Sequence, residues 1–148
     1  MDIKASYEYD KDFYRWAFHN AALIRAGRFH EVDIEHVAEE LESMGKSDKR
    51  ELINRLALLM AHLLKWQYQP TRQSKSWTLT IKEQRIQIRQ LLEESPSLKH
   101  EISLKLSAAY EQAVVMVEIE TALDESTFPK QCPFKLDECL DPNFLPDS

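Results

Sequence analysis

Apolar residues recur every three or four positions along most of this chain, and this spacing is typical of amphipathic helices. The pattern predicts helices near residues 11–26, 33–44, 47–66, 76–94 and 98–123. The predicted fold class is therefore all-α, a single-domain bundle of about five helices.

Glycine and proline supply the predicted ends of several helices. Gly27 and Gly45 each follow an apolar periodic stretch, and glycine there closes a helix in the left-handed conformation without a Cβ clash. Asp33 is a suitable N-cap for the second helix. Pro70 ends the third helix, which is apolar over a wide arc and is therefore predicted to be the centre of the bundle.

The last predicted helix carries two apolar stripes. One consists of Leu98, Ile102, Leu106, Ala109, Ala113 and Val117, and the other of Leu104, Ala108, Val115, Ile119 and Ala122. Either neighbouring helices sandwich this helix, or its second face meets another subunit.

Residues 124–148 contain four prolines, which exclude a long helix, yet the segment is too apolar for a solvated tail. It is predicted to pack across the bundle as short turns and short helices. No repeat or interdomain linker is evident, so residues 1–148 are predicted to form one domain.

Composition and the N-terminus predict a cytoplasmic protein without a membrane span, and no cofactor is predicted. The 148 residues carry a net charge of −6, and no apolar run has the length of a membrane-spanning helix. The N-terminus lacks the basic start and the apolar stretch of a signal peptide. Cys132 and Cys139 match no zinc or redox spacing, so reduced thiols are predicted.

Residues 65–89 reverse the charge of the chain, with six Lys or Arg against the single acid Glu83. Two interpretations stand. An acidic row on the second helix can neutralise the cations within the fold, or the cations bind an external anion or nucleic acid. The acidic row is Glu35, Glu39 and Glu42, and the row that it would neutralise is Lys75, Lys82, Arg85 and Arg89 of the fourth helix. The candidate cations for external binding are Lys65, Arg72, Lys75, Lys82, Arg85 and Arg89.

A catalytic interpretation depends on His36, Glu40 and His62, whose side chains can ligate a metal in a helical bundle. The chain lacks the paired Glu-x-x-His motifs of carboxylate-bridged sites and has no nucleophile elbow or phosphate-binding glycine loop. An enzyme is therefore less favoured than a protein without catalysis, and no metal is predicted.

Several short motifs carry a resemblance to a known family. They include Asp12-Phe13-Tyr14-x-Trp16, Met44-Gly45, Lys65-Trp-Gln-Tyr-Gln-Pro70, Ser95-Pro-Ser-Leu98 and Cys132-Pro133. In these motifs the chain resembles the bacterial proteins grouped as domain of unknown function 29. The resemblance implies an all-helical, bacterial, cytoplasmic protein, and it implies no activity or site residues.

Three functions remain open. The first is a non-catalytic protein-interaction or regulatory module, with the fifth helix or the C-terminal segment as the contact surface for a protein partner or a second copy. The alternative is a small metal-dependent enzyme. The third is anion or nucleic-acid binding through residues 65–89, although the acidic chain would repel nucleic acid elsewhere on its surface.

Overall fold

The computed structural model describes residues 8–147, and this part of the chain is helical without a β-strand, which confirms the all-α class. After a helical stretch at residues 8–11, the α-helices are α1 (Phe13–Arg25), α2 (Ile34–Tyr68), α3 (Lys75–Glu94), α4 (Leu98–Leu104), α5 (Leu106–Glu120) and α6 (Leu136–Leu140). Short 3₁₀ turns occupy Phe29–Glu31, Pro70–Arg72 and Glu125–Thr127. The chain divides into two compact units, Met1–Ser47 and Asp48–Ser148.

In the first unit, α1 is closed at both ends by local hydrogen bonds. The Asp12 side chain accepts from the Arg15 amide at 3.1 Å and caps the N-terminus. At the other end Gly27 adopts a φ of 74°, and the Arg28 amide donates to the Leu23 carbonyl at 2.9 Å. This is a Schellman motif, so the helix end predicted at Gly27 is confirmed.

The helix end predicted at Gly45 is wrong, because α2 runs without interruption over 35 residues. Gly45 has no positive φ and lies in the helix interior. A glycine costs an exposed helix only about 1 kcal/mol relative to alanine, and the helix formers around Gly45 outweigh that cost. The helices predicted at 33–44 and 47–66 are therefore one helix.

The core of the second unit is built on the second half of α2. Its inward-facing side chains are among the most buried of the described residues, as predicted for the wide apolar arc; they are Leu52, Leu56, Leu59, Met60, Leu63 and Leu64. They join one cluster with residues of α3, of α5 and of the C-terminal segment, which include Ile81, Ile88, Ala109, Ala113, Val117, Phe128 and Phe134. Ser74 caps α3 by accepting from the Trp77 amide at 3.3 Å.

The single helix predicted over 98–123 is also wrong, because the chain breaks at Lys105 between α4 and α5. The Ser103 hydroxyl donates to the His100 carbonyl at 2.7 Å, a side-chain bond that tends to bend helices. The two predicted stripes differ in burial. Ile102, Ala109, Ala113 and Val117 are buried, whereas the second stripe, including Val115 and Ile119, is exposed.

The proline-rich C-terminal segment belongs to the second unit and packs against its helices, as predicted. Phe128, Phe134 and Cys139 are buried, and the Tyr110 hydroxyl donates to the Pro129 carbonyl at 2.6 Å. The packing brings α6 and the following turn beside α3, and that arrangement forms the site described next.

Candidate functional site

A groove of about 750 Å³ follows α3 in the second unit, a volume within the range of ligand sites in proteins. One wall comes from α3, and the opposite wall from the C-terminal segment through Leu140, Pro142 and Leu145. The α3 wall consists of Thr78, Ile81, Lys82, Arg85, Ile86, Arg89, Leu92 and Glu93, and Lys99 of α4 extends it. The groove is therefore mainly apolar, with charged groups along one side.

Cations outnumber acids in this groove. Lys82, Arg85 and Arg89 lie three and then four residues apart, so they share one side of α3, and Lys99 adds a fourth cation. Glu93 is the one acid among the lining residues. It stands 3.9 Å from Arg89, and both side chains are exposed, so this pair neutralises little of the charge.

Arg85 is the buried member of this row, with 7% of its surface exposed. Its Nε donates to the Cys139 carbonyl at 2.8 Å, and its Nη2 donates to the Phe144 carbonyl at 2.7 Å. These acceptors are neutral, and no carboxylate of residues 8–147 forms a salt bridge with the guanidinium. Burial lowers the pKa of Arg85, and the more distant charge of Asp141 acts in the opposite direction.

The Nη1 group of Arg85 has no acceptor within the described part of the chain. This unpaired nitrogen is not closed off from solvent, and Arg85 lines the groove, so Nη1 is accessible there. A guanidinium held by carbonyls on one edge and open on the other can bind a carboxylate or phosphate with the open edge.

The remaining predicted cations do not line the groove. Lys65 is buried, and its Nζ donates to Glu120 at 2.6 Å and lies 5.3 Å above the ring of Trp77. Lys65 is therefore neutralised inside the second unit. Arg72 and Lys75 are exposed. Neutralisation of the α3 row by Glu35, Glu39 and Glu42 stays a prediction.

A second polar cluster lies in the first unit, and it contains His36 and Glu40. His36 Nδ1 is 2.7 Å from Asp33 Oδ2, and the ring of Tyr9 stacks on the imidazole with centroids 3.9 Å apart. The Tyr9 hydroxyl donates to Glu40 at 2.5 Å. The hydrogen bond to Asp33 raises the pKa of His36, and the bond to Glu40 raises that of Tyr9 to about 12.

Asp33 is the fully buried centre of this cluster. Its carboxylate accepts from Trp16 Nε1 at 3.0 Å, and its backbone amide donates to Asn20 Oδ1 at 2.8 Å. Asp33 precedes α2 as predicted, but its side chain binds the indole and the imidazole instead of capping the helix. The spacing of Asp33 and His36 at the start of a helix is the sequence signal that would have revealed the pair.

His62 belongs to the second unit and is nearly buried. Its Nδ1 donates to the Leu58 carbonyl at 3.0 Å, and burial lowers its pKa. Across the described residues, no three His, Cys, Asp or Glu side chains group closely enough to hold a metal ion. The structure therefore gives no support to a metal site made by His36, Glu40 and His62.

The cysteines are free, as predicted, and both thiols are shielded. Cys139 is buried, and burial raises its pKa to about 12. Burial also raises the pKa of the Cys132 thiol, whose Sγ donates to the Phe134 carbonyl at 3.3 Å. Neither has the lowered pKa of a reactive thiolate.

These features define an all-helical protein with an apolar surface groove lined by cations. The profile described as Domain of unknown function DUF29 matches residues 8–145, and the chain belongs to this family, as its motifs implied. No curated protein and no solved structure matches the chain. None of the helices in residues 8–147 has the length and apolar content needed to cross a membrane.

Proposed function

We propose that this protein is a non-catalytic, cytoplasmic protein-interaction module that holds an acidic amphipathic helix of a protein partner in the groove along α3. The observation that carries the proposal is the combination of an apolar floor with four cations and one acid. The C-terminal segment, one of the two contact surfaces suggested by the sequence, forms one wall of that groove.

The shape and chemistry of the groove suit a helix. Amphipathic helices bind by placing apolar side chains at positions i, i+3, i+4 and i+7 into an apolar groove. Arg89 lies seven positions after Lys82, which corresponds to about 10.5 Å along α3, or two helical turns, and Arg85 lies between them. Carboxylates at matching positions of a partner helix would pair with this row and fix its register.

The same groove is a poor site for nucleic acid or for catalysis. Its lining residues include no Phe, Tyr or Trp, so no aromatic surface is available for stacking bases. They also include no His or Cys, and their one carboxylate, Glu93, is exposed beside Arg89, so no buried acid–base pair is present among them. A protein segment therefore fits the groove better than the other ligands suggested by the sequence.

A designed peptide pair tests the proposal on the full chain. One peptide carries leucines at helical spacing with glutamates beside them, and its twin carries lysines in place of the glutamates. We expect the glutamate peptide to bind and the lysine twin to bind at least about tenfold more weakly, measured by isothermal titration calorimetry. The double variant Lys82→Glu, Arg89→Glu should reverse the preference.

Two matched controls come from α3 itself. Lys75 is an exposed cation of the same helix that does not line the groove, so Lys75→Glu should leave the affinity for the glutamate peptide within about twofold. Leu79 is exposed outside the groove, whereas Leu145 lines it, so Leu145→Ser should weaken binding and Leu79→Ser should not. Equal binding of both peptides, or equal effects of the paired variants, would refute the proposal.

A further inference from the structure

We infer that the acidic helix that occupies the groove is the first part of α2, residues 34–44, of a second copy of this chain. The inference rests on the proposed function and names its partner. It predicts that the protein assembles with itself through two different surfaces, the groove of one copy and the start of α2 of the next.

The start of α2 has the composition that the groove requires. Ile34, Leu41 and Met44 are 64%, 63% and 63% exposed, and their spacing places them on one side of the helix. Residues 34–44 also contain four glutamates and no Lys or Arg. An exposed apolar helix face is typical of a contact surface. Glu35, Glu39 and Glu42 lie about 80–140° round the helix from Ile34, so they would meet a different wall of the groove from the apolar side chains.

The acidic and basic rows match in register. Glu35, Glu39 and Glu42 are separated by four and then three residues, and the α3 row has the same intervals when it is counted backwards from Arg89. Two antiparallel helices therefore place three carboxylates opposite three cations over about 10.5 Å. The pairs are Glu35 with Arg89, Glu39 with Arg85, and Glu42 with Lys82.

The central pair gives Arg85 the anion that it lacks. Its Nε and Nη2 are held by carbonyls, and Nη1 is open at the groove. A carboxylate of Glu39 from the second copy would bind Nη1 and neutralise a largely buried cation. Charged hydrogen bonds of this kind are about twice as strong as neutral ones.

The contact joins two different surfaces, and this determines the kind of assembly. A contact between unlike surfaces closes into a ring or continues as a filament, unless two copies exchange the contact reciprocally around a two-fold axis. In each case the assembly depends on protein concentration, which distinguishes it from neutralisation of the two rows within one chain.

Charge reversal on each surface tests the inference by sedimentation velocity of the full chain. One variant carries Glu35→Lys and Glu42→Lys, and the other carries Lys82→Glu and Arg89→Glu, so both keep the central pair of Glu39 with Arg85. The wild-type protein should self-associate reversibly, and each variant alone should dissociate at least about tenfold more readily because like charges then face each other. An equimolar mixture of the two variants should assemble again, because each groove then meets a face of opposite charge.

The outcomes separate this inference from the proposed function. A wild-type protein that stays monomeric at every concentration would overturn assembly between copies, and binding of the glutamate peptide would show that the groove serves another partner. If neither the peptide nor a second copy binds, both proposals fail. Self-association that survives both charge reversals would also overturn the inference, because it would have to use another surface.

Discussion

Asp33 and Arg85 are buried groups of opposite charge, and each lies at a helix end of matching polarity. Asp33 stands at the N-terminus of α2, where the helix dipole favours an anion. Arg85 donates to the carbonyl of Cys139 in the last turn of α6. The last carbonyls of a helix lack backbone donors, and a cationic side chain can supply the missing hydrogen bond. Arg85 therefore pairs a backbone carbonyl at the end of α6, whereas Asp33 places its charge at the start of α2 without bonding the backbone amides of that helix.

The two groups differ in what surrounds the charge. Asp33 is bound by the side chains of Trp16 and His36, and the imidazole can carry the opposite charge. Arg85 is bound by neutral carbonyls, and its Nη1 is left open at the groove. The comparison indicates that Asp33 stabilises its own unit, whereas Arg85 both stabilises the C-terminal segment and remains available to a partner.

Removal of the Arg85 guanidinium should have the largest effect on stability. In Arg85→Met the carbonyls of Cys139 and Phe144 lose their donors, and unpaired buried acceptors cost roughly 1–3 kcal/mol each. We expect the free energy of unfolding to fall by about 3 kcal/mol, measured by urea denaturation followed by tryptophan fluorescence. Proteolysis should then cut the chain earlier within residues 124–147.

The control for this prediction is Lys82→Met, which removes an exposed cation from the same wall of the groove. It should change the free energy of unfolding by less than about 0.5 kcal/mol. If Arg85→Met is as stable as Lys82→Met, the bonds of Arg85 to the carbonyls of Cys139 and Phe144 do not stabilise the C-terminal segment. Arg85 would then have no structural role to compare with that of Asp33.

Asp33→Asn should have the next largest effect, because it keeps the shape of the side chain and removes its charge. The bonds from Trp16 and His36 would become neutral hydrogen bonds, and the new amide would meet no acceptor at the position of Oδ1. We expect a loss of about 1.5 kcal/mol in the free energy of unfolding. Asp10→Asn, at an exposed carboxylate of the same unit, should cost much less.

Nuclear magnetic resonance titration of His36 adds a measurement that packing alone would not change. The bond to Asp33 is the largest cause of the raised pKa of His36, so that pKa should fall in Asp33→Asn. An unchanged pKa would show that Asp33 does not carry the charge that interacts with the imidazole.

Local patterns in the sequence predicted much of the fold. Helical spacing identified the all-α class and the buried stretch before Trp66, and the apolar side chains of residues 124–148 indicated that this segment packs. The helix end at Gly45 was predicted wrongly because glycine signals a helix end only when its φ is positive. Neighbouring residues outweighed that signal in α2.

The site was predicted less completely, because its partners are distant in sequence. The row of Lys82, Arg85 and Arg89 could be found from spacing along one helix. The opposite wall comes from residues 140–145, and neither periodicity nor charge connects these residues to α3. Arg85 bonds to backbone carbonyls, which every residue has, so the sequence does not show which residues accept from it. The sequence could therefore suggest only a carboxylate partner.

The smallest effect should be the dependence of stability on the charge of His36. The bond to Asp33 raises its pKa in the folded protein above the value near 6.5 of an unfolded chain. Its stabilising contribution is therefore complete below about pH 6.5 and is lost as pH rises through the folded pKa. The difference in stability between wild type and His36→Gln should shrink over that window, measured by urea denaturation at successive pH values.

His100→Gln provides the matched control, since His100 is exposed in the second unit. Its difference from wild type should vary less with pH over the same range, because no buried carboxylate accompanies its ring. If the two histidine variants show the same pH dependence, the Asp33–His36 bond does not depend on an ionised pair. In that case the buried anion of the first unit would resemble Arg85, held by neutral partners and without a matching charge.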